Sequence, residues 1–187
     1  MESVETLALP TAARKPHYLE DASVRRLILE LYDQEHMAIR RYLVCLGLTS
    51  DLAQEIVQDA FLKLHEHLLA GGDRRNLRAW LYRVAHNLTR NAQTAARVTK
   101  TDALSADGIA VNLKAAVLTA EEELLEAERN RRLEHAINGL SGAQKECLIL
   151  RAQGLKYREI AEALNLSVST VGENVQRGLE KLKELLP

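Results

Sequence analysis

An all-α protein of two small helical domains joined by a flexible linker is what this sequence predicts, on three observations. Its 187 residues are 47% hydrophobic but only 4% aromatic, and the bulk is Leu, Ala, Glu and Arg, the usage of packed amphipathic helices rather than of sandwiches or barrels. Apolar residues recur at spacings of three and four along most of the chain. One internal stretch, residues 98–118, "VTKTDALSADGIAVNLKAAVL", loses that rhythm and reads as a linker between domains at 21–97 and 119–187, with residues 1–20 as a tail.

The tail has acids early, Pro10 and Pro16, and no basic start followed by an apolar run, so it does not read as a signal peptide. From Asp21 to about Leu48, Val24, Leu27, Ile28, Leu31, Tyr32, Met37, Ile39, Tyr42, Leu43 and Leu46 mark helix with one buried face. Gly47 is a stopping point, and Ser50 or Asp51 offers the next N-cap. The second helix, "DLAQEIVQDAFLKLHEHLL", sets Leu52, Ile56, Val57, Ala60, Phe61, Leu64 and Leu68 on a core stripe and leaves Gln54, Glu55, Gln58, Asp59 and Lys63 outside. "AGGD" ends it.

The third segment, residues 74–97, carries six arginines and no acid in a chain whose formal net charge is −1. Leu77, Leu81, Val84, Ala85 and Leu88 can pack inward while Arg78, Arg83, Arg90 and Arg97 project, so nucleic-acid affinity would come from this local ridge and not from the total charge. Beyond the linker, Thr119 opens a capping box with Glu122, starting an acidic helix that Gly139 can end. The remainder divides at "SGAQ", "QGLKY" and "LNLS" into three short helices.

Within that remainder, "YREIAEALNLSVSTVGENV" has helix-turn-helix patterning. Ile160, Ala161 and Leu164 pack the first helix, Leu166 fills the turn, Ser167 is the N-cap, and Val168, Val171 and Val175 pack the second. The second helix of such a pair enters the major groove with its first turns toward base edges.

Other chemistry finds little support. His65 and His67 are two apart and diverge on a helix, and His17, His36, His86 and His135 have no carboxylate or cysteine companion at ligand spacing. There is no phosphate-cradling glycine loop and no nucleophile elbow. Hence neither an enzyme, a metal nor a cofactor is expected. Cys45 and Cys147 read as buried reduced thiols. No stretch approaches the roughly 18 apolar residues of a membrane span, so no membrane insertion and a cytoplasmic location are expected.

The C-terminal stretch resembles region 4 of the bacterial sigma-70 family. "DLAQEIVQDAFLKL" followed by "LRAWLYRVAHNLTRN" resembles region 2 of its smallest members, the extracytoplasmic-function sigma factors, and together the two resemblances cover residues 22–97 and 120–187. They imply a promoter-recognising, strand-opening initiation factor that binds core RNA polymerase and promoter DNA and is held by an anti-sigma factor. They imply polymerase contact through Gln54, Glu55, Gln58 and Asp59. At the −10 element they imply a base contact from Asn87 and phosphate contacts from Arg78, Arg83 and Arg90. The helix bearing Ser169, Thr170, Glu173, Asn174, Arg177 and Lys181 would read the −35 element, with Lys156 and Arg158 as further phosphate anchors.

Two departures stand out. "LLAGGDRRN" has no aromatic before the −10 helix, where family members often have one, and Trp80 reads as core. The family's recognition helix commonly reads "TV(R/K)SR", whereas this chain has "TVGEN", so Gly172 and Asn174 replace both basic residues. A sigma-like protein that titrates an anti-sigma factor without initiating transcription is the alternative those replacements would permit.

Overall fold

The structure, a computed structural model, describes residues 17–99, 128, 131–132 and 135–185. Six helices are bounded among them: α1 (His17–Cys45), α2 (Ser50–Leu69), α3 (Leu77–Thr99), α4 (Gly142–Ala152), α5 (Tyr157–Leu164) and α6 (Val168–Leu185). No strand occurs among the described residues. The Thr119 capping box, the linker beyond Thr99 and the side chain of Arg97 lie outside them.

α1 is one helix of 29 residues and stops at Cys45, short of Leu48. Gly47 takes φ +92°, a conformation that favours glycine, and donates its N–H to Val44 O at 2.9 Å. Leu48 then turns back into the core at 3% exposure. Met37, expected on the buried face, is 46% exposed, because five residues after Tyr32 it falls off the stripe.

The N-cap of α2 is Thr49, one residue ahead of the expected Ser50 or Asp51. Its extended backbone lets Oγ1 accept from Leu52 N at 3.4 Å, and Asp51 sits in the first turn, where a carboxylate favours the helix dipole. The Ser50 hydroxyl accepts from Arg40 instead. The buried stripe is as expected except that Ala53 is buried where Leu52 is only half-buried.

Helices α1, α2 and α3 close around Ile39, Tyr42, Leu43, Val57, Leu64, Leu81 and Tyr82, each essentially without exposure. The rings of Tyr42 and Tyr82 meet edge-on at 5.7 Å, a favoured aromatic geometry. Each such large side chain contributes about 1.5–3 kcal/mol by leaving water.

In the C-terminal part, Ser141 caps α4 reciprocally with Gln144: Gln144 N donates to Ser141 Oγ at 3.3 Å and Ser141 N to Gln144 Oε1 at 3.0 Å. α5 ends at Asn165, which holds φ +54°, a left-handed position asparagine tolerates. Ser167 caps α6 as the sequence predicts, its Oγ accepting from Thr170 N at 3.0 Å. Ile160, Ala161, Ala163, Val171 and Val175 are buried in this part. Val168, expected to pack, is 47% exposed, since it opens the first turn before the helix reaches α5. Gly178 lets α6 lie close to α4: a Cβ there would come within 2.6 Å of Leu148 Cδ1.

The two parts touch. α3 lies along α5, α1 reaches α4, and one buried cluster runs from Val24 through Leu81 to Cys147 and Ile160. A seam between the domains therefore lies beside the arginine-bearing helix.

Candidate nucleic-acid interface

On α6, Ser169, Glu173, Arg177 and Lys181 are exposed, and Thr170 and Asn174 are half-buried. They form the expected polar face, but several are already engaged. The Asn174 amide donates to Thr170 O at 2.9 Å, Arg177 lies 3.4 Å from the Glu173 carboxylate, and Lys181 donates to Gly139 O. An ion pair this exposed contributes under about 1 kcal/mol and yields to a better anion. The Asn174 bond uses one of two amide hydrogens. The other hydrogen and Oδ1 supply the donor and acceptor that a bidentate contact with adenine requires.

Gly172 has room for a side chain: a Cβ would sit 3.8 Å from the ring of Tyr157, an ordinary contact. Tyr157 is 39% exposed at the start of α5, and the Arg151 guanidinium lies 5.5 Å from its ring centre, within cation–π range. Sequence reasoning missed this aromatic and arginine pair beside the recognition helix. "KYREI" gives the aromatic, but only the fold brings Arg151 to it.

On α3, Asn87 and Arg90 are exposed and Arg83 is half-buried. Arg78 does not project as expected. Its Nε lies 2.9 Å from Glu35 Oε1 on α1, with side-chain exposures of 29% and 12%. Its other nitrogens donate across the seam to Gln153 O at 2.7 Å and Gly154 O at 3.4 Å. The physical reason is the second domain, which covers the first turn of α3 and draws the guanidinium inward. Trp80 is half-buried, its ring stacked on His67 at 4.9 Å.

Arg90 lines a cavity of about 410 Å³ between the domains, shared with His86, Gln93, Glu146 and Leu164. On α2, Glu55, Gln58 and Asp59 are exposed and Gln54 is half-buried, so the four offer one polar stripe.

His86 is buried at 6% exposure, its Nδ1 2.9 Å from Tyr42 Oη. Burial pushes the tyrosine hydroxyl well up, so it keeps its proton and donates. Burial, and secondarily the Arg90 charge, push the His86 pKa down, so the ring is the neutral acceptor. The sign follows. This group's stabilising contribution is full above the unfolded value of about 6.5 and is lost as pH falls through the lower folded value. The half-buried carboxyl of Glu146 is raised by burial and acts in the opposite sense. Between pH 7 and 5 the thermal midpoint of His86→Gln is therefore expected to fall less than the parent's. Parallel melts with equal slopes would remove His86 as the cause.

Cys147 is buried, its thiol pushed up to about 11 by burial and the Glu146 charge. Cys45 is half-buried and also raised, and both are free. Among the described residues no group of three or more His, Cys, Asp or Glu could hold a metal ion. No described helix is long and apolar enough to cross a membrane.

Two small helical units, one ending in a helix-turn-helix with a polar outer face and the other bearing an arginine-bearing helix, define a DNA-binding protein of the helix-turn-helix class. Residues 31–98 match the family model for sigma-70 region 2, and residues 130–182 match that for sigma-70, region 4. The RNA polymerase sigma factor SigZ of Bacillus subtilis (strain 168) is 30% identical over 160 residues, which span 85% of this chain and 86% of that protein. The ECF RNA polymerase sigma-E factor of Haemophilus influenzae is 30% identical over 136 residues, 69% of this chain and 71% of the relative.

Among solved structures, the sigma factor RpoE of Bartonella quintana, in complex with the anti-sigma factor NepR, superposes with a TM-score of 0.64. The identity is 25%, covering 87% of this chain and 98% of that one. CnrH, in complex with the cytosolic domain of CnrY, shares the fold at a TM-score of 0.61 and 22% identity, covering 91% and 94%. The chain belongs to the sigma-70 family, in its extracytoplasmic-function group, and is an RNA polymerase sigma factor that directs promoter recognition and strand opening.

Proposed function

We propose a division of this work between two domains, residues 21–97 and 119–187, and among named side chains. The outer stripe of α2, Gln54, Glu55, Gln58 and Asp59, docks on core RNA polymerase. Asn87 contacts a base of the −10 element while Arg83 and Arg90 hold phosphates, and Arg78 joins them once it is free of the seam. Ser169, Thr170, Glu173, Asn174, Arg177 and Lys181 face the −35 element. The observation that carries the −35 reading is the exposed polar face of α6 on a helix whose other side is packed through Val171 and Val175. Polar side chains at that place specify bases, and phosphate anchors position the helix.

Affinity in this reading comes largely from tethering: both domains and the polymerase act together, so a weak −35 contact is raised by effective concentration. The protein is non-catalytic, works in the cytoplasm, and is restrained by an anti-sigma factor, as the complex of the Bartonella relative suggests.

In vitro transcription with core polymerase on a pool of randomised promoters tests the assignments. The parent should select a two-part promoter. Asn87→Ala and Asn174→Ala should each relax a different half of it, by about 1–3 kcal/mol of discrimination. If Asn174→Ala leaves the preference unchanged, the −35 assignment fails. If the protein binds core polymerase or an anti-sigma protein yet starts no transcripts, the titrating alternative replaces it.

A further inference from the structure

The cavity of about 410 Å³ between the domains has the size of a small-molecule site, and most of the polar groups on its walls are hydrogen-bond donors. α3 supplies His86 and Arg90. α4 supplies its first two residues, Gly142 and Ala143, and Glu146 one turn on. Leu164 and Leu166, at the end of α5 and in the turn after it, form an apolar wall. An adjoining cavity of about 150 Å³ shares His86, Arg90 and Glu146 and adds Lys145.

His86 shows what this space is suited to hold. It is 6% exposed and accepts from Tyr42 at Nδ1, so the neutral ring carries its proton on Nε2. That N–H has no hydrogen-bond partner among the described residues, and the ring lines the cavity. A buried donor left unmade is costly, and an occupant of the cavity can satisfy it. The N–H groups of Gly142 and Ala143 open an 11-residue helix and have no partner within it. The positive end of the helix dipole lies there. Glu146 is the one acid. Burial raises its carboxyl toward the protonated form, against the Arg90 charge, and in that form it donates as well.

We propose that this cavity binds a small molecule carrying a phosphate monoester. The phosphate sits among Arg90, His86 Nε2 and the first turn of α4, and the apolar body lies against Leu164 and Leu166. A guanidinium, an imidazole N–H and two backbone N–H groups outnumber what the two oxygens of a carboxylate take and suit the three terminal oxygens of a phosphate. The site is a property of the chain alone and stands whether or not the residues assigned above contact promoter DNA. Arg90 is also proposed to hold promoter phosphate, so a phosphodiester is the rival source of the same chemistry.

Phenyl phosphate titrated into the full chain by calorimetry, near neutral pH and at constant ionic strength, tests the site while NMR follows the ring nitrogens of His86. Methyl phenyl phosphate, a diester like the DNA backbone, and inorganic phosphate, which lacks the apolar body, are the comparison ligands. One phenyl phosphate should bind per chain, severalfold tighter than either, and the Nε2 signal of His86 should shift along the same saturation curve.

Three variants divide the site. Arg90→Gln should weaken binding about tenfold or more. Gly142→Pro removes one backbone N–H at the first helical position, where proline is tolerated and a Cβ meets nothing within 4 Å. Ser141 before it already has the extended backbone that proline demands. This variant should bind about two- to tenfold more weakly. Glu146→Gln keeps the shape, removes the opposing charge and should tighten binding severalfold.

Absence of saturable binding, or a His86 signal that does not move, would overturn the proposal. So would a comparison ligand that binds as tightly: the diester would make the cavity a backbone-phosphate site, and inorganic phosphate a site for the free ion. Loss with Arg90→Gln while Gly142→Pro and Glu146→Gln match the parent would mark an ordinary counterion at an exposed arginine, and would overturn it too.

Discussion

Arg78→Ala is expected to destabilise the protein by about 3 kcal/mol, seen as a fall in thermal midpoint of roughly 6–10 °C. The substitution strands the Glu35 carboxylate, whose side chain is 12% exposed and whose Oε2 already lacks a partner. An uncompensated buried charge is the costly outcome, not the loss of the pair itself. Arg78 is 29% exposed, so solvent screening takes some of the effect and the lower end of the usual range applies. Replacing both partners, Glu35→Met with Arg78→Met, should recover most of the loss. A fall under about 1 kcal/mol for Arg78→Ala would mean that the pair is solvated and that the second domain does not cover it.

The second large effect concerns the polymerase. Glu55→Arg and Asp59→Arg, tested singly, should each weaken binding to core RNA polymerase by tenfold or more, on the order of the truncation of an interface anchor. Both side chains are exposed on α2, so stability should stay within about 0.5 kcal/mol. Competition of each variant with the parent for a limiting amount of core polymerase measures this directly. Undiminished competition by both variants would move the contact off this stripe.

Much of the fold was legible because local rules and tertiary packing agree over long stretches. The α2 stripe from Ile56 to Leu68 repeats at helical spacing, and Ser167, three residues ahead of the Thr170 amide it caps, announces the recognition helix. Cap positions were less legible. Thr49, Ser50 and Asp51 are all good caps, and only the extended backbone at Thr49 decides among them. Arg78 was misplaced for a different reason. Its partners lie at Glu35, Gln153 and Gly154, far away in sequence, and a polar residue that meets another element leaves no periodic trace. Tyr157 and Arg151 were missed likewise: their meeting depends on the turn at Gly154, which folds α5 back against α4.

The bond from the Asn174 amide to Thr170 O has a consequence for temperature and selectivity. An exposed asparagine samples several rotamers and loses that freedom when it grips a base, whereas this one is already fixed by its own helix at 2.9 Å. In the proposed role its contact carries a smaller entropic penalty on binding, and discrimination should hold steady as temperature rises while the salt-sensitive phosphate contacts vary. Asn174→Asp would invert that arrangement, since a carboxylate facing the Thr170 carbonyl is repelled and swings free. The same side chain would then be mobile where it had been set before any promoter arrived.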